Sequence, residues 1–310
     1  IKRTLLREAG FNVTLRVRAS NGLRIQDHIG NFTQRNVTNL EMGALVADKA
    51  FAAIVKHEGK LDEKHEAHFQ TAVLYTTADG RRRVRCHNLA VPVTSLLGNV
   101  FRYADLDATV AYYMKEGELS GATCDTCELC ADPASSTAVS LSLTRPLKEV
   151  RHFLTSKCVK ILLAYRRNCA SFTVPGQLIL PESYKLYPLY TLAMNKNKAI
   201  KGGNVTSDVR TLYMRNVRSL SVPNTMALLY PRMIALHRMS DADGFPIKIQ
   251  DAEGQEQDGQ RIKTPPLMRP SYLRMEPHGS YLVENGEMCI VWLGAEVNPK
   301  FLEDLYGVES

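Results

Sequence analysis

No uninterrupted run of roughly 18 apolar residues occurs in the chain, so no stretch reads as a helix crossing a bilayer. Neither G-x-x-x-x-G-K-[S/T] nor G-x-G-x-x-G is present, the glycine-rich loops whose backbone N–H groups cradle phosphates. Seven cysteines, an odd number unevenly spaced, argue against a disulfide scaffold. The histidines are scattered; His65 and His68 form the one close pair, and on a strand that spacing puts them on opposite faces. A cysteine or serine nucleophile needs a base beside it and a group orienting that base, and no local signature of this kind is found. The expectation is a protein that is not an enzyme. Aromatics are also missing where they would matter for RNA: none alternates with the arginines of Arg81 to Arg85, so a base-stacking platform is absent and no nucleic-acid partner is expected.

What is present is ordinary globular composition, 45% hydrophobic and 23% charged, over 310 residues, enough for two domains or three small ones. The net charge of +7 is unevenly spread. Residues 1–100 carry 15 Lys+Arg against 9 Asp+Glu, residues 101–220 carry 16 against 10, and residues 221–310 carry 8 against 13. The first two thirds therefore favour an anionic partner and the last third does not. The chain starts at Ile1, which reads as a fragment. Sequons at Asn12, Asn31, Asn36 and Asn204 would matter only in a secretory lumen and are taken as idle in a cytosolic protein.

The strongest local pattern surrounds Asp79-Gly80. Phe69, Thr71, Val73 and Tyr75 alternate on one side of it. Asp-Gly suits a two-residue type I′ turn, which would place Val84, Cys86 and Ala90 of the return strand on the same apolar face. Arg81, Arg83, Arg85 and His87 would then form a cationic face opposite, toward water or an anionic partner. Upstream, Leu5 to Ala9 reads as a helix tail. Phe11 to Ala19 alternates as a strand, Leu23 to Ile29 follows the Asn21-Gly22 turn as another, and Phe51 to Lys56 is a third.

From about Ser95 the period becomes helical. Thr144 and Pro146 suit a helix start, and Leu147, Val150, Leu154, Cys158, Ile161, Leu162 and Tyr165 make one apolar stripe, with Lys157, Lys160 and Arg167 off it. Asp208 to Ser219 is a further helix. Leu228, Tyr230 and Ile234 suggest strands, Ser240 to Pro266 a solvated acidic loop, Asn285-Gly286 a second hairpin turn, and Pro299 to Tyr306 a last helix. Cys124, Cys127 and Cys130 form C-x2-C-x2-C, but zinc takes four ligands; His152, the nearest histidine downstream, falls within the expected helix, and Asp125, Glu128 or Asp132 could only supplement, so the three are an incomplete metal candidate within an insertion at about 117–137.

Several of these segments resemble one family, the COPII-coat cargo adaptors (the Sec24 family). VLYTTADGRRRVRCHNLAVPV (73–93) is similar to its β-sandwich hairpin, and GFNVTLRVRASNGLRI (10–25) to its entry into that sandwich. LLAYRRNCASFTVPGQLILPESYKLYPLYTLAM (162–194) resembles its helical domain, particularly in the C/D branch, and GSYLVENGEMCIVWLG (279–294) with the following helix resembles its gelsolin-type module. The resemblance implies a multidomain α+β chain: the end of an upstream trunk (1–9), an antiparallel β-sandwich (10–95), an all-helical domain (96–220) and a gelsolin-like α/β module (221–310). It implies a non-enzymatic inner-coat subunit selecting cargo between endoplasmic reticulum and Golgi. Its partners would be the other inner-coat subunit, cytosolic cargo tails and the anionic membrane surface, with the small GTPase engaged indirectly. No cofactor is implied in this chain; a zinc ion would belong to a ribbon module upstream, with the trunk. The family's sandwich also takes a segment from far upstream, so a sheet edge is expected to stay unpaired. Arg81, Arg83, Arg85 and His87 would join the membrane-facing basic surface. A gelsolin-like actin-binding protein is the rival reading.

Overall fold

The structure is a computed structural model and describes residues 7–20, 22–36, 38–115, 147–174, 176–250 and 256–307. The chain divides into two compact units, residues 1–225 and 226–310. The candidate cysteines 124, 127 and 130, the expected cap at Thr144 and Pro146, and residues 5 and 6 of the expected helix tail lie outside the described residues.

The first unit opens with six antiparallel strands. β1 (Ala9–Ala19), β3 (Leu40–Val46), β5 (Ala67–Thr76) and β6 (Arg82–Val91) form one sheet in the order β3-β1-β5-β6, while β2 (Leu23–Ile29) pairs with β4 (Ala52–His57). Strand alternation sends Val13 and Leu15 of β1 inward beside Leu40 and Met42 of β3, with Val17, Phe32, Leu45, Phe51, Val73 and Tyr75 packed around them. A bulge interrupts β1 where its register with β5 shifts between Phe11 and Thr14, and Asn12 takes φ +48° there. Asparagine tolerates the left-handed region better than most residues, which suits it to this position. Strand β3 was not foreseen, and Ala9 begins a strand where a helix tail was expected.

Six helices complete the described part of this unit: α1 (Leu97–Arg102), α2 (Leu106–Lys115), α3 (Leu147–Cys169), α4 (Tyr187–Lys196), α5 (Ser207–Ser219) and α6 (Val222–Leu229), the last running on toward the second unit. Val150, Leu154, Cys158 and Ile161 of α3 are buried as the stripe predicts. Lys157 is buried with them, which corrects its expected place off the stripe. At three to four residues from Leu154 and Ile161 it shares their face, and its ammonium lies 5.3 Å from the Phe153 ring centre. The expectation of strands around Leu228 and Tyr230 is also overturned, since Val222–Leu229 is helical; short apolar runs do not distinguish the two states.

Two arginines secure the turn after α4. Arg210 Nη1 donates to the carbonyls of Lys198 (3.4 Å), Ala199 (3.2 Å) and Lys201 (3.0 Å), and Arg151 Nη1 to that of Ile200 (3.1 Å). Ala199 and Ile200 are themselves fully buried. Arg210→Met keeps the aliphatic stem and strips three acceptors of their charged donor, so chemical denaturation is expected to show a loss of about 1–2 kcal/mol.

Lys115 ends α2 as a buried lysine, its Nζ donating to the Leu220 carbonyl. Burial lowers its pKa from 10.5 to about 8. Between these two values the unfolded chain binds a proton that the folded chain does not, so this group makes stability rise with pH across that window. The wild type is expected to gain on the order of 1–2 kcal/mol over Lys115→Met between pH 8 and 10.5, measured by urea melts of both proteins at each pH.

The second unit holds an antiparallel sheet, order β10-β7-β11-β12, from β7 (Arg232–Ala235), β10 (Leu267–Met268), β11 (Ser280–Glu284) and β12 (Cys289–Leu293). Met233 and Tyr281 are its most deeply buried large side chains. The β11–β12 turn places Gly286 at φ +85°, and Asn285 N–H donates to Met288 O (3.2 Å), so the two loop residues are Gly286 and Glu287. Asn285 Oδ1 accepts from Glu287 N–H (3.0 Å) and Met288 N–H (2.8 Å), so the asparagine side chain closes the turn. The stretch expected as a solvated loop instead contains a hairpin, β8 (Pro246–Gln250) with β9 (Glu256–Ile262); Ile247 and Ile249 alternate with polar residues in β8, whereas β9 has no apolar alternation. A last helix, α7 (Pro299–Tyr306), is capped by Asn298, whose Oδ1 accepts from Lys300 N (3.0 Å), and stops at Gly307 with φ +64°.

Candidate functional site: the basic edge strand

The β5–β6 hairpin closes with three loop residues. Thr77 N–H donates to Arg81 O (2.9 Å), Gly80 N–H donates to Thr77 O (3.0 Å), and Gly80 has φ +82°, a three-residue loop with glycine in the left-handed position. The two-residue turn expected at Asp79-Gly80 is therefore wrong by one residue. Side chains alternate with a period of two, so that one residue exchanges the faces of the whole return strand. Arg83 stands opposite Tyr75, Arg85 opposite Val73 and His87 opposite Thr71, while Val84 and Cys86 stand opposite Leu74 and Ala72. The cationic residues thus share the face of Val73 and Tyr75, and Val84 and Cys86 lie on the reverse face, exposed.

Burial falls across the sheet: Val13 and Leu15 of β1 are buried, β5 is mostly half-buried, and β6 is exposed from end to end. Strand β6 pairs with β5 alone and forms an edge of its sheet. Along its inner face runs an open groove of about 830 Å³. Leu15, Val73 and Tyr75 contribute apolar lining; Lys49, Arg83 and Arg85 supply cations, with His87 among them and Asp79 as a counter-charge.

The four expected residues separate here. Arg83, Arg85 and His87 share one face, whereas Arg81 belongs to the turn and pairs with Asp79 (3.2 Å). The Asp79 carboxyl is held below its ordinary range, first by the Thr77 hydroxyl and also by backbone N–H groups and the Arg83 charge. Arg82, left out of the expected stripe, crosses the back of the sheet instead. Its Nη1 donates to Asn12 O (2.6 Å) and Thr76 Oγ1 (2.9 Å), strapping the β1 bulge. An alternation count selects every second arginine and has no means of finding this one.

Two domain families match the chain in succession, the Sec23/Sec24 beta-sandwich domain over residues 10–94 and the Sec23/Sec24 helical domain over residues 129–227. That pair defines a class of vesicle-coat protein. Among its relatives, the Arabidopsis thaliana protein transport protein SEC24 B is 36% identical over 99% of this chain, and the Homo sapiens protein transport protein Sec24C is 32% identical over all of it. The crystal structure of the human COPII-coat protein Sec24c superimposes over 100% of this chain with a TM-score of 0.79 at 31% identity. The chain belongs to the Sec24 family. It spans about a quarter of the length of these two relatives, 24% and 25%, and 36% of the solved Sec24c chain.

Proposed function

We propose that this chain is part of a non-enzymatic inner-coat subunit of COPII vesicles, selecting cargo for transport from the endoplasmic reticulum to the Golgi. The observation that carries this reading is the likeness to the human COPII-coat protein over the whole chain. On this reading it works with the other inner-coat subunit, the cytosolic tails of membrane cargo and the anionic membrane of endoplasmic reticulum exit sites. The small GTPase is engaged through the coat partner, and nucleic acid plays no part. Attachment would be peripheral; no helix among the described residues is long and apolar enough to cross a membrane. The zinc ribbon and α/β trunk would belong to the parts of the relatives beyond the matched quarter.

The proposed division is trunk end 1–9, β-sandwich 10–95, helical domain 96–220 and gelsolin-like module 221–310. A four-stranded sheet followed by a helix supports the last assignment. Arg81, Arg83, Arg85 and His87 are proposed as part of the membrane-facing basic surface. Their concentration at one exposed edge and turn supports this.

Affinity purification of the tagged full-length protein, followed by liposome recruitment and actin co-sedimentation, tests the coat reading. The expected result is co-purification with the other inner-coat subunit and recruitment that requires it together with the GTP-loaded small GTPase. Pelleting with filamentous actin, without association with the coat partner, would overturn it.

A further inference from the structure

The second unit brings His237 together with Glu276 and His278, a pair from the same loop much further along the chain. His237 belongs to a 3-10 turn, Leu236–Arg238, directly after β7, whereas Glu276 and His278 lie in the loop leading into β11. Glu276 Oε2 is 3.5 Å from His237 Nε2 and 3.3 Å from His278 Nε2. One ligand atom from each of the three residues lies within 4.8 Å of the other two. Tetrahedral coordination with bonds of about 2.0–2.1 Å would set neighbouring ligand atoms about 3.4 Å apart. The two contacts to Glu276 are already near that spacing. Rotation of the exposed His278 ring can close the third.

The surroundings suit a metal ion more closely than a simple ion pair. Ser280 holds the His237 ring through its backbone: its N–H donates to Nδ1 (3.2 Å), and its carbonyl oxygen lies 3.1 Å from the same nitrogen. Metal binding at Nε2 requires the tautomer with the proton on Nδ1, donated to that oxygen, the arrangement that orients metal-binding histidines. His237 Nε2 is closed off from solvent and makes no hydrogen bond to any described residue, a costly condition for a buried polar atom. Arg238 Nη2 donates to the other carboxylate oxygen of Glu276, Oε1 (2.6 Å), and turns Oε2 toward the histidines. The Glu276 backbone is fixed by donation from its N–H to Tyr281 Oη (2.8 Å).

We propose that His237, Glu276 and His278 form a binding site for a divalent transition-metal ion, best matched by Zn²⁺, which staples the turn after β7 to the loop before β11. Imidazole nitrogens with one carboxylate select zinc and its neighbours over calcium, which takes oxygen ligands throughout. Three protein ligands leave a fourth position for water or for a donor from a partner.

The chain's cysteines complicate a simple zinc titration, so the test uses the full 310-residue chain with Cys124, Cys127 and Cys130 replaced by Ser. Calorimetric titration with Zn²⁺ is expected to show one site. Co²⁺ substitution is expected to give visible d–d bands without a thiolate charge-transfer band. His237 packs against Tyr281, with ring centres 5.2 Å apart, so His237→Ala can perturb folding. His278→Ala, at an exposed position, and Glu276→Gln therefore carry the test, with circular dichroism to verify the fold. Loss of a ligand is expected to weaken binding by more than the roughly 10–100-fold that follows loss of a hydrogen-bond partner behind one. Absence of zinc binding in the Ser background, or binding unaltered by both His278→Ala and Glu276→Gln, overturns the proposal.

Discussion

Replacing Arg81, Arg83 and Arg85 together by Ala is expected to weaken binding to acidic liposomes by about 2–3 kcal/mol at low salt. A basic side chain close to an anionic bilayer contributes about 1 kcal/mol, falling off within a Debye length, and three are removed. Arg81 is partly neutralised by Asp79, so Arg83 and Arg85 carry most of the effect. Folding should survive, because β6 is exposed along its whole length and isolated surface charges contribute little to stability. The measurement is liposome flotation of the full-length protein with the other inner-coat subunit, its proposed partner, from low to physiological salt. Equal recovery of wild type and triple mutant would remove the membrane role. It would point to the groove beside Val73 and Tyr75 as a packing surface for another stretch of polypeptide.

Gly294→Ala is expected to destabilise the second unit by roughly 3 kcal/mol or more, lowering its melting temperature in calorimetry. A Cβ at this position would overlap the Pro277 carbonyl oxygen and lie 2.6 Å from the Pro277 carbonyl carbon. The obstruction is backbone, which cannot swing away as a flexible side chain can. The same stretch is tied by hydrogen bonds from Gly294 N–H to Gly279 O and from Glu296 N–H to Pro277 O, both 2.9 Å. Relief requires the loop bearing Glu276 and His278 to move. Zinc binding, if measured in the same variant, should weaken along with stability. A melting temperature equal to wild type would contradict the close approach seen here.

Local signals were legible where a few neighbouring residues decide the outcome. Asn298-Pro299 and Gly307 bracket α7, and the alternation of Leu23 to Ile29 marks β2 at both ends. Non-local decisions were not. Strand β3 is defined by pairing with β1, and only Leu40 and Met42 of its residues are buried, too few to announce a strand. Strand β8 has a short Ile247–Ile249 alternation, but its partner β9 is polar and Gly- and Gln-containing, so the pair is defined by backbone pairing that the sequence of β9 does not report. The arginine stripe was visible, but its face depended on one loop residue. The His237, Glu276 and His278 group was invisible because a sheet, not sequence spacing, brings its members together. Sequence spacing reports only close neighbours, and these histidines stand on either side of the β8–β9 hairpin.

The three-residue loop also has an evolutionary consequence. A single-codon deletion at Ala78 that kept a three-residue loop, and so moved the closing pair from Thr77 and Arg81 to Thr76 and Arg81, would change the parity of the hairpin rather than any residue in β6. Arg83, Arg85 and His87 would leave the groove together, and Val84 and Cys86 would take their place. For this strand an indel is thus a larger chemical mutation than any substitution, able to exchange Arg83, Arg85 and His87 for Arg82, Val84 and Cys86 in one step. Cys86, now exposed on the reverse face, would report the exchange through altered thiol reactivity. Drift in the length of such a loop is therefore constrained in a way that drift in its composition is not.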